Sequence, residues 1–135
     1  MKITKQFEGL KRIENGDYVI EGDLIATESI EIDLDDRLVV HGRIEVKKSI
    51  IANKTLIVHC GIKAGWGIEA GCGIKAGCGI KAGWGIEAKT YISAQKRIFA
   101  GINLYHSSAE CHKDIKCKEL RCGEISYGDL VISHE

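Results

Sequence analysis

The side chains best suited to chemistry gather late in the chain. Cys111, His112, Cys117, Cys122 and His134 are thiols and imidazoles, the ligands zinc prefers, and four of them could converge tetrahedrally. Cys111, His112, Cys117 and Cys122 are therefore the candidate metal set. Their spacing, Cys-x5-Cys-x4-Cys, matches no standard zinc knuckle. Cys117 and Cys122 also share the phase of Ile115 and Leu120, which predicts small buried thiols packed in a core. His41, His59 and His106 are the candidate general bases. A base needs an orienting partner and a cleft, and the surrounding sequence supplies them neither a carboxylate nor a long substrate loop. Glycines recur at corners and never form a single strand–loop–helix phosphate cradle. The expectation is a protein without catalysis and without a cofactor.

The elements that carry these residues follow a six-residue period. Aliphatic residues stand six apart from Ile32 to Leu104, and a second column from Val40 to Ala100 runs two places behind. Six fits neither helical spacing nor one long hairpin. It fits short two-sided strands separated by corners and wound into a solenoid. Residues 61–70 and 79–88 both read GIKAGWGIEA, an identity at a shift of eighteen. The fold class is therefore all-β: a single-stranded, triangular, parallel β-helix with about 18 residues per coil. Trp66 should stack on Trp84, Lys63 on Lys81 and Glu69 on Glu87. The expected inward columns are Leu38, Leu56, Ile74 and Ile92; Ile44, Ile62, Ile80 and Ile98; and Ile50, Ile68, Ile86 and Leu104. Strict alternation through 62–94 places Trp66 and Trp84 in the core beside Ile68, Ile74 and Ile80. Each Gly-X-Gly unit reads as a bend where glycine supplies positive φ.

One domain, 1–135, accommodates this pattern. Residues 1–15 form an N-terminal cap, in which Ile3, Phe7 and Leu10 have helix-like spacing. Residues 16–102 form regular coils, with two extra residues near Asp35-Asp36 making one wider corner. Residues 103–135 form looser coils, whose pairs Ile115/Cys117, Leu120/Cys122, Ile125/Tyr127 and Leu130/Ile132 recur every five.

Nineteen basic and nineteen acidic side chains cancel, so no long-range attraction to nucleic acid or to an anionic membrane is built in. Lys63, Lys75 and Lys81 face outward but read as matched by Glu69 and Glu87. Met1 to Leu10 has no apolar run of signal-peptide type, and no uncharged stretch reaches membrane-spanning length. A cytoplasmic location with reduced cysteines is expected. Cys60 should lie under Cys78 as a second thiol. A short rod without inserted loops suggests no pocket. Outward apolar residues are the interaction candidates: Val39 and Ile57 on one wall, Ile51 and Tyr105 on another, Phe99 on the third. They point to a protein partner, either a second copy in a homo-oligomer or an unidentified target.

The stretches GDYVIEGDLIATESIEI (16–32) and RLVVHGRIEVKKSIIANKTLIV (37–58) alternate short apolar pairs with Gly-Asp, Ser or Gly-Arg corners. In this the chain resembles bactofilins, polymer-forming β-helical proteins of bacteria, over about a third of its length. That resemblance implies a right-handed three-sided β-helix that stacks end to end as a scaffold. The left-handed β-helix of hexapeptide-repeat acyltransferases is the rival. That family takes a small residue two places before its aliphatic, where Trp66 and Trp84 stand here, so the right-handed sense is favoured. A small mobile-element inhibitor that blocks a host machine such as a defence (CRISPR) nuclease is the alternative function, and an acyltransferase the third.

Overall fold

Three residues of Ile-X-Ala cannot hold a strand by themselves, because a short extended segment leaves its backbone groups unpaired. The fold pairs each such triplet with the ones directly above and below it. The computed structural model describes residues 1–100, 114–122, 124–127 and 129–132. Every regular element among them is a β-strand, and these strands form three sheets that close into a prism.

The first wall runs Leu10–Arg12, Tyr18–Ile20, Leu38–Val40, Leu56–Val58, Ile74–Ala76, Tyr91–Ala94 and Glu119–Arg121. The second runs Leu24–Ala26, Ile44–Val46, Ile62–Ala64, Ile80–Ala82, Arg97–Ala100 and Glu124–Tyr127. The third runs Lys2–Ile3, Ile30–Ile32, Ile50–Ala52, Ile68–Ala70, Ile86–Ala88, Asp114–Cys117 and Asp129–Ile132. All neighbours are parallel except Leu10–Arg12, which runs antiparallel to Tyr18–Ile20.

The register is that of the repeat. Ile62 pairs with Ile80, Ile68 with Ile86 and Ile74 with Ile92, each eighteen residues on. The first laps are longer by two: Tyr18 pairs with Leu38, Leu24 with Ile44 and Ile30 with Ile50. The extra residues sit in the corner 33–37. There Leu34 is buried, and the Asn53 side chain accepts from its N–H and donates to its carbonyl. The last lap shortens to fifteen, with Ile115 on Leu130.

The interior is continuous. Ile50, Leu56, Ile74, Ile86, Ile92 and Ile98 have no exposed surface, and the alanine column beside them is nearly as closed. From Ile62–Ala64 to Ile86–Ala88 a large and a small inward residue alternate in every triplet, which lets three walls meet at close-packed density.

Four expectations are corrected. Leu104 is not the next residue of the third column: Ile86 is followed there by Ile115, and Leu104 is outside the described residues. The N-terminal segment is not helical. Lys2–Ile3 adds to the third wall and Leu10–Arg12 to the first, with Ile3 fully buried and Phe7 and Leu10 packed against the core. Trp66 and Trp84 are outside the core, with Trp66 37% exposed and Trp84 half-buried, whereas Ile68, Ile74 and Ile80 are buried as expected. Alternation holds within a three-residue strand but fails across a three-residue corner, where the chain turns toward the next wall. Lastly, no glycine of the repeat has positive φ, which occurs at Gly9, Gly16 and Gly22 alone among the described residues. Gly65, Gly71, Gly77 and Gly83 are required for another reason: a Cβ on any of them would lie 1.9–2.1 Å from a carbonyl oxygen of the lap below.

Candidate functional site

Stacking at a constant lap length turns each corner and each outward strand position into a ladder with rungs about 4.8 Å apart. Those ladders are the surface on which any function must act.

At the corner between the second and third walls, Glu28, Lys48, Trp66 and Trp84 succeed one another. Lys48 pairs with Glu28, and the ammonium holds that carboxyl below the usual carboxylate range. The Lys48 Nζ also sits 5.5 Å from the Trp66 ring centroid, and Trp66 stacks on Trp84 at 5.4 Å and 7°. Charge pair, cation–π contact and ring stack thus form one column. The indoles are outward-facing, an exposed aromatic feature that strand alternation had hidden.

At the corner between the first and second walls, His41 stacks on His59 with centroids 4.7 Å apart. His41 Nδ1 is 2.7 Å from Glu21 Oε2, so an orienting carboxylate is present after all. The partner lies twenty residues back, which is one lap. Neither His41 nor His59 lines the second-wall groove described below. Their arrangement is a corner ladder in which each ring stacks on the next lap. His106 lies outside the described residues.

The second wall carries an open groove of about 670 Å³, against the expectation of none. Gly61 and Gly79 form its floor, since neither projects a side chain, and Arg43, Lys63, Lys81 and Phe99 rise around it. Lys63 stands directly on Lys81, with Glu45 one lap before and Phe99 one lap after. Glu45 is 3.9 Å from Lys63 and 3.6 Å from Arg43. Glu69 and Glu87 do not match these lysines: they stand one above the other on the third wall, between Ile51 and Lys116. Lys75 is on the first wall, between Ile57 and Ser93. Among the described residues Lys81, Glu69 and Glu87 make no ion pair. Two neighbouring walls thus carry ladders of opposite sign, and each ladder sets like charges a lap apart, which is unfavourable by itself.

The apolar candidates separate. Val39 is buried at 9%, as is Val19 beside it on the first wall. Ile57 and Phe99 are half-buried, Ile51 is exposed, and Tyr105 lies outside the described residues. Ile25, also exposed, was missed because it stands in the first laps, away from the perfect repeat.

The two ends of the prism differ. At the N-terminal end Lys2–Ile3 and Leu10–Arg12 lie across two walls, fastened by the amino terminus on the Ser29 carbonyl and by Lys5 on Asp35. Asp35 also accepts from the Tyr18 hydroxyl at 2.7 Å, and these two bonds hold its carboxyl down to about 2. Beneath, Arg37 grips the buried Asp17 with two nitrogens. At the other end Leu130 and Ile132 occupy core-facing register on Ile115 and Cys117, yet are 44% and 37% exposed.

Of the candidate metal set, Cys111 and His112 lie outside the described residues, as does His134. Cys117 is fully buried and Cys122 packs against the core; burial pushes both thiols up. No cluster of three or more metal ligands occurs among the described residues. Cys60 and Cys78 are thiols on adjacent laps, with the Cys78 N–H donating to the Cys60 carbonyl at 3.1 Å.

Against protein-family models, curated proteins and solved structures, this chain has no match.

Proposed function

We propose that the protein is a non-enzymatic β-helical scaffold that docks to a second copy of itself. The observation that carries this reading is the asymmetry of the ends. Leu130 and Ile132 continue the core columns but are exposed, on the last of the described strands, whose backbone edges can accept another strand. Apolar residues in core register are matched best by another β-helical lap, which the same chain supplies. At the N-terminal end Lys2–Ile3 and the antiparallel Leu10–Arg12 extend two walls. The core residues Ile3, Tyr18, Leu24 and Ile30 are buried, so the described residues there present no matching apolar face. End-on docking therefore stops at a pair, in contrast to the filaments that the bactofilin resemblance implies.

Light scattering over a concentration series tests the reading. A dimer that persists in high salt, and that Leu130→Asp together with Ile132→Asp converts to monomer, is the expected result. A wild-type chain that remains monomeric at several hundred micromolar would remove it. Hydrogen exchange gives a second readout: amides of Glu119–Arg121 and Asp129–Ile132 should gain protection as concentration rises.

A further inference from the structure

We propose that the second wall is also a lateral docking face, and that its occupant is the third wall of another copy. This rests on the reading of the protein as a self-docking scaffold and adds a second, independent contact to it.

Lys63 and Lys81 project from the second wall one lap apart, and Glu69 and Glu87 project from the third wall one lap apart. Both pairs arise from the same repeat, so their spacing is identical by construction. Apposing the two ladders sets each lysine against a glutamate at matched height, so opposite-charge contacts between copies offset the like-charge contacts within each. Glu45 does not satisfy this need within the chain: it reaches Lys63 but makes no ion pair with Lys81.

Shape agrees with charge. Trp66 precedes Glu69 by three residues, and Cys60 and Gly61 precede Lys63 by three and two. When the facing strands run in the same direction, the partner's Trp66–Trp84 corner falls over the groove floored by Gly61 and Gly79. Phe99, the bare backbone at Gly61 and Gly79 and the lysine stems give the groove an apolar surface, which exposed indole rims are suited to fill. Because the two faces are different walls, the contact is heterologous. A docked pair keeps the third wall of one copy and the second wall of the other free, so lateral assembly continues past two copies.

Charge reversal provides the test. In low salt the wild type should form species larger than a dimer in sedimentation velocity, dispersing as salt screens the ladders. Lys63→Glu with Lys81→Glu leaves both walls acidic, and Glu69→Lys with Glu87→Lys leaves both basic. Each variant alone should lose lateral assembly at least tenfold, while an equimolar mixture of the two should regain it. Indole emission should move to shorter wavelength in the wild type and in the mixture, and stay unmoved in either variant alone. Circular dichroism confirms that the variants fold; Lys63→Gln with Lys81→Gln, which loses only the salt-dependent species, serves if a reversal does not. A wild type no larger than a dimer at low salt, or a mixture no larger than its components, would overturn the proposal. End-on pairing answers to Leu130 and Ile132 and survives high salt, so the two contacts fail separately.

Discussion

Gly65→Ala and Gly67→Ala flank the same tryptophan and differ by a single methyl each, yet should differ sharply in stability. At Gly65 a Cβ would stand 2.0 Å from the Lys47 carbonyl oxygen and 2.9 Å from its carbon, all backbone and unable to rotate away. Restoring an ordinary contact means lifting one lap from the next by about 1 Å, an overpacking that costs about 1–3 kcal/mol. The lift also strains the Gly65 N–H bond to the Val46 carbonyl (2.9 Å) and the Trp66 N–H bond to the Lys48 carbonyl (3.1 Å). At about 1 kcal/mol each, these bring the loss to about 3–5 kcal/mol, reduced by up to about 1 kcal/mol because alanine restricts the unfolded chain. At Gly67 the nearest atom to a Cβ is the Gly85 carbonyl oxygen at 3.4 Å, an ordinary contact. Gly67→Ala should therefore be neutral or raise stability by about 0.5 kcal/mol. Denaturant unfolding followed by far-ultraviolet circular dichroism measures the difference. If the two variants fell within 1 kcal/mol, or in reverse order, glycine would not be serving close approach between laps.

Further outcomes concern the core, the indoles, the thiols and acid. Ile68→Asp buries a charge without a partner at a position 2% exposed and should unfold several laps together, whereas Lys75→Ala should be nearly silent in a thermal melt. Trp66→Ala should cost about 0.5–1.5 kcal/mol, the value of a ring stack, and not the about 3–5 kcal/mol of an emptied core site. Cys60, exposed, should react with a thiol reagent within the mixing time, while Cys117 should react only on unfolding, read by mass spectrometry of quenched samples. Asp35 has its folded pKa depressed to about 2, so its contribution is present above about pH 4 and lost as pH falls toward 2. The melting difference between wild type and Asp35→Asn should accordingly shrink across that window; a difference constant from pH 5 to pH 2 would contradict the role given to the Tyr18 and Lys5 bonds.

The lap lengths were legible in the sequence because the interior admits one solution. A buried aliphatic every six residues requires three walls, and the identity of 61–70 with 79–88 sets the register that places Ile68 under Ile86. The wide corner at 33–37 and the five-residue period after Ile115 were visible for the same reason: a core column cannot slip without exposing an isoleucine. What alternation could not reach was the corners. It carried Trp66 inward because it assumes an unbroken strand, and each corner restarts the phase.

The surface depended on three-dimensional winding throughout. Lys63 and Glu69 are near in sequence and stand on different walls, while Glu21 and His41 are a full lap apart in sequence and touch. Leu104 keeps the six-residue spacing, but the third wall passes to Ile115, since hydrogen bonding between laps, and not spacing along the chain, determines which residue is next in a column. Local pattern therefore determined what this chain buries. Only the closed prism decided which charges, rings and glycines share a face, because those neighbours are joined through backbone bonds between laps that no short window of sequence contains.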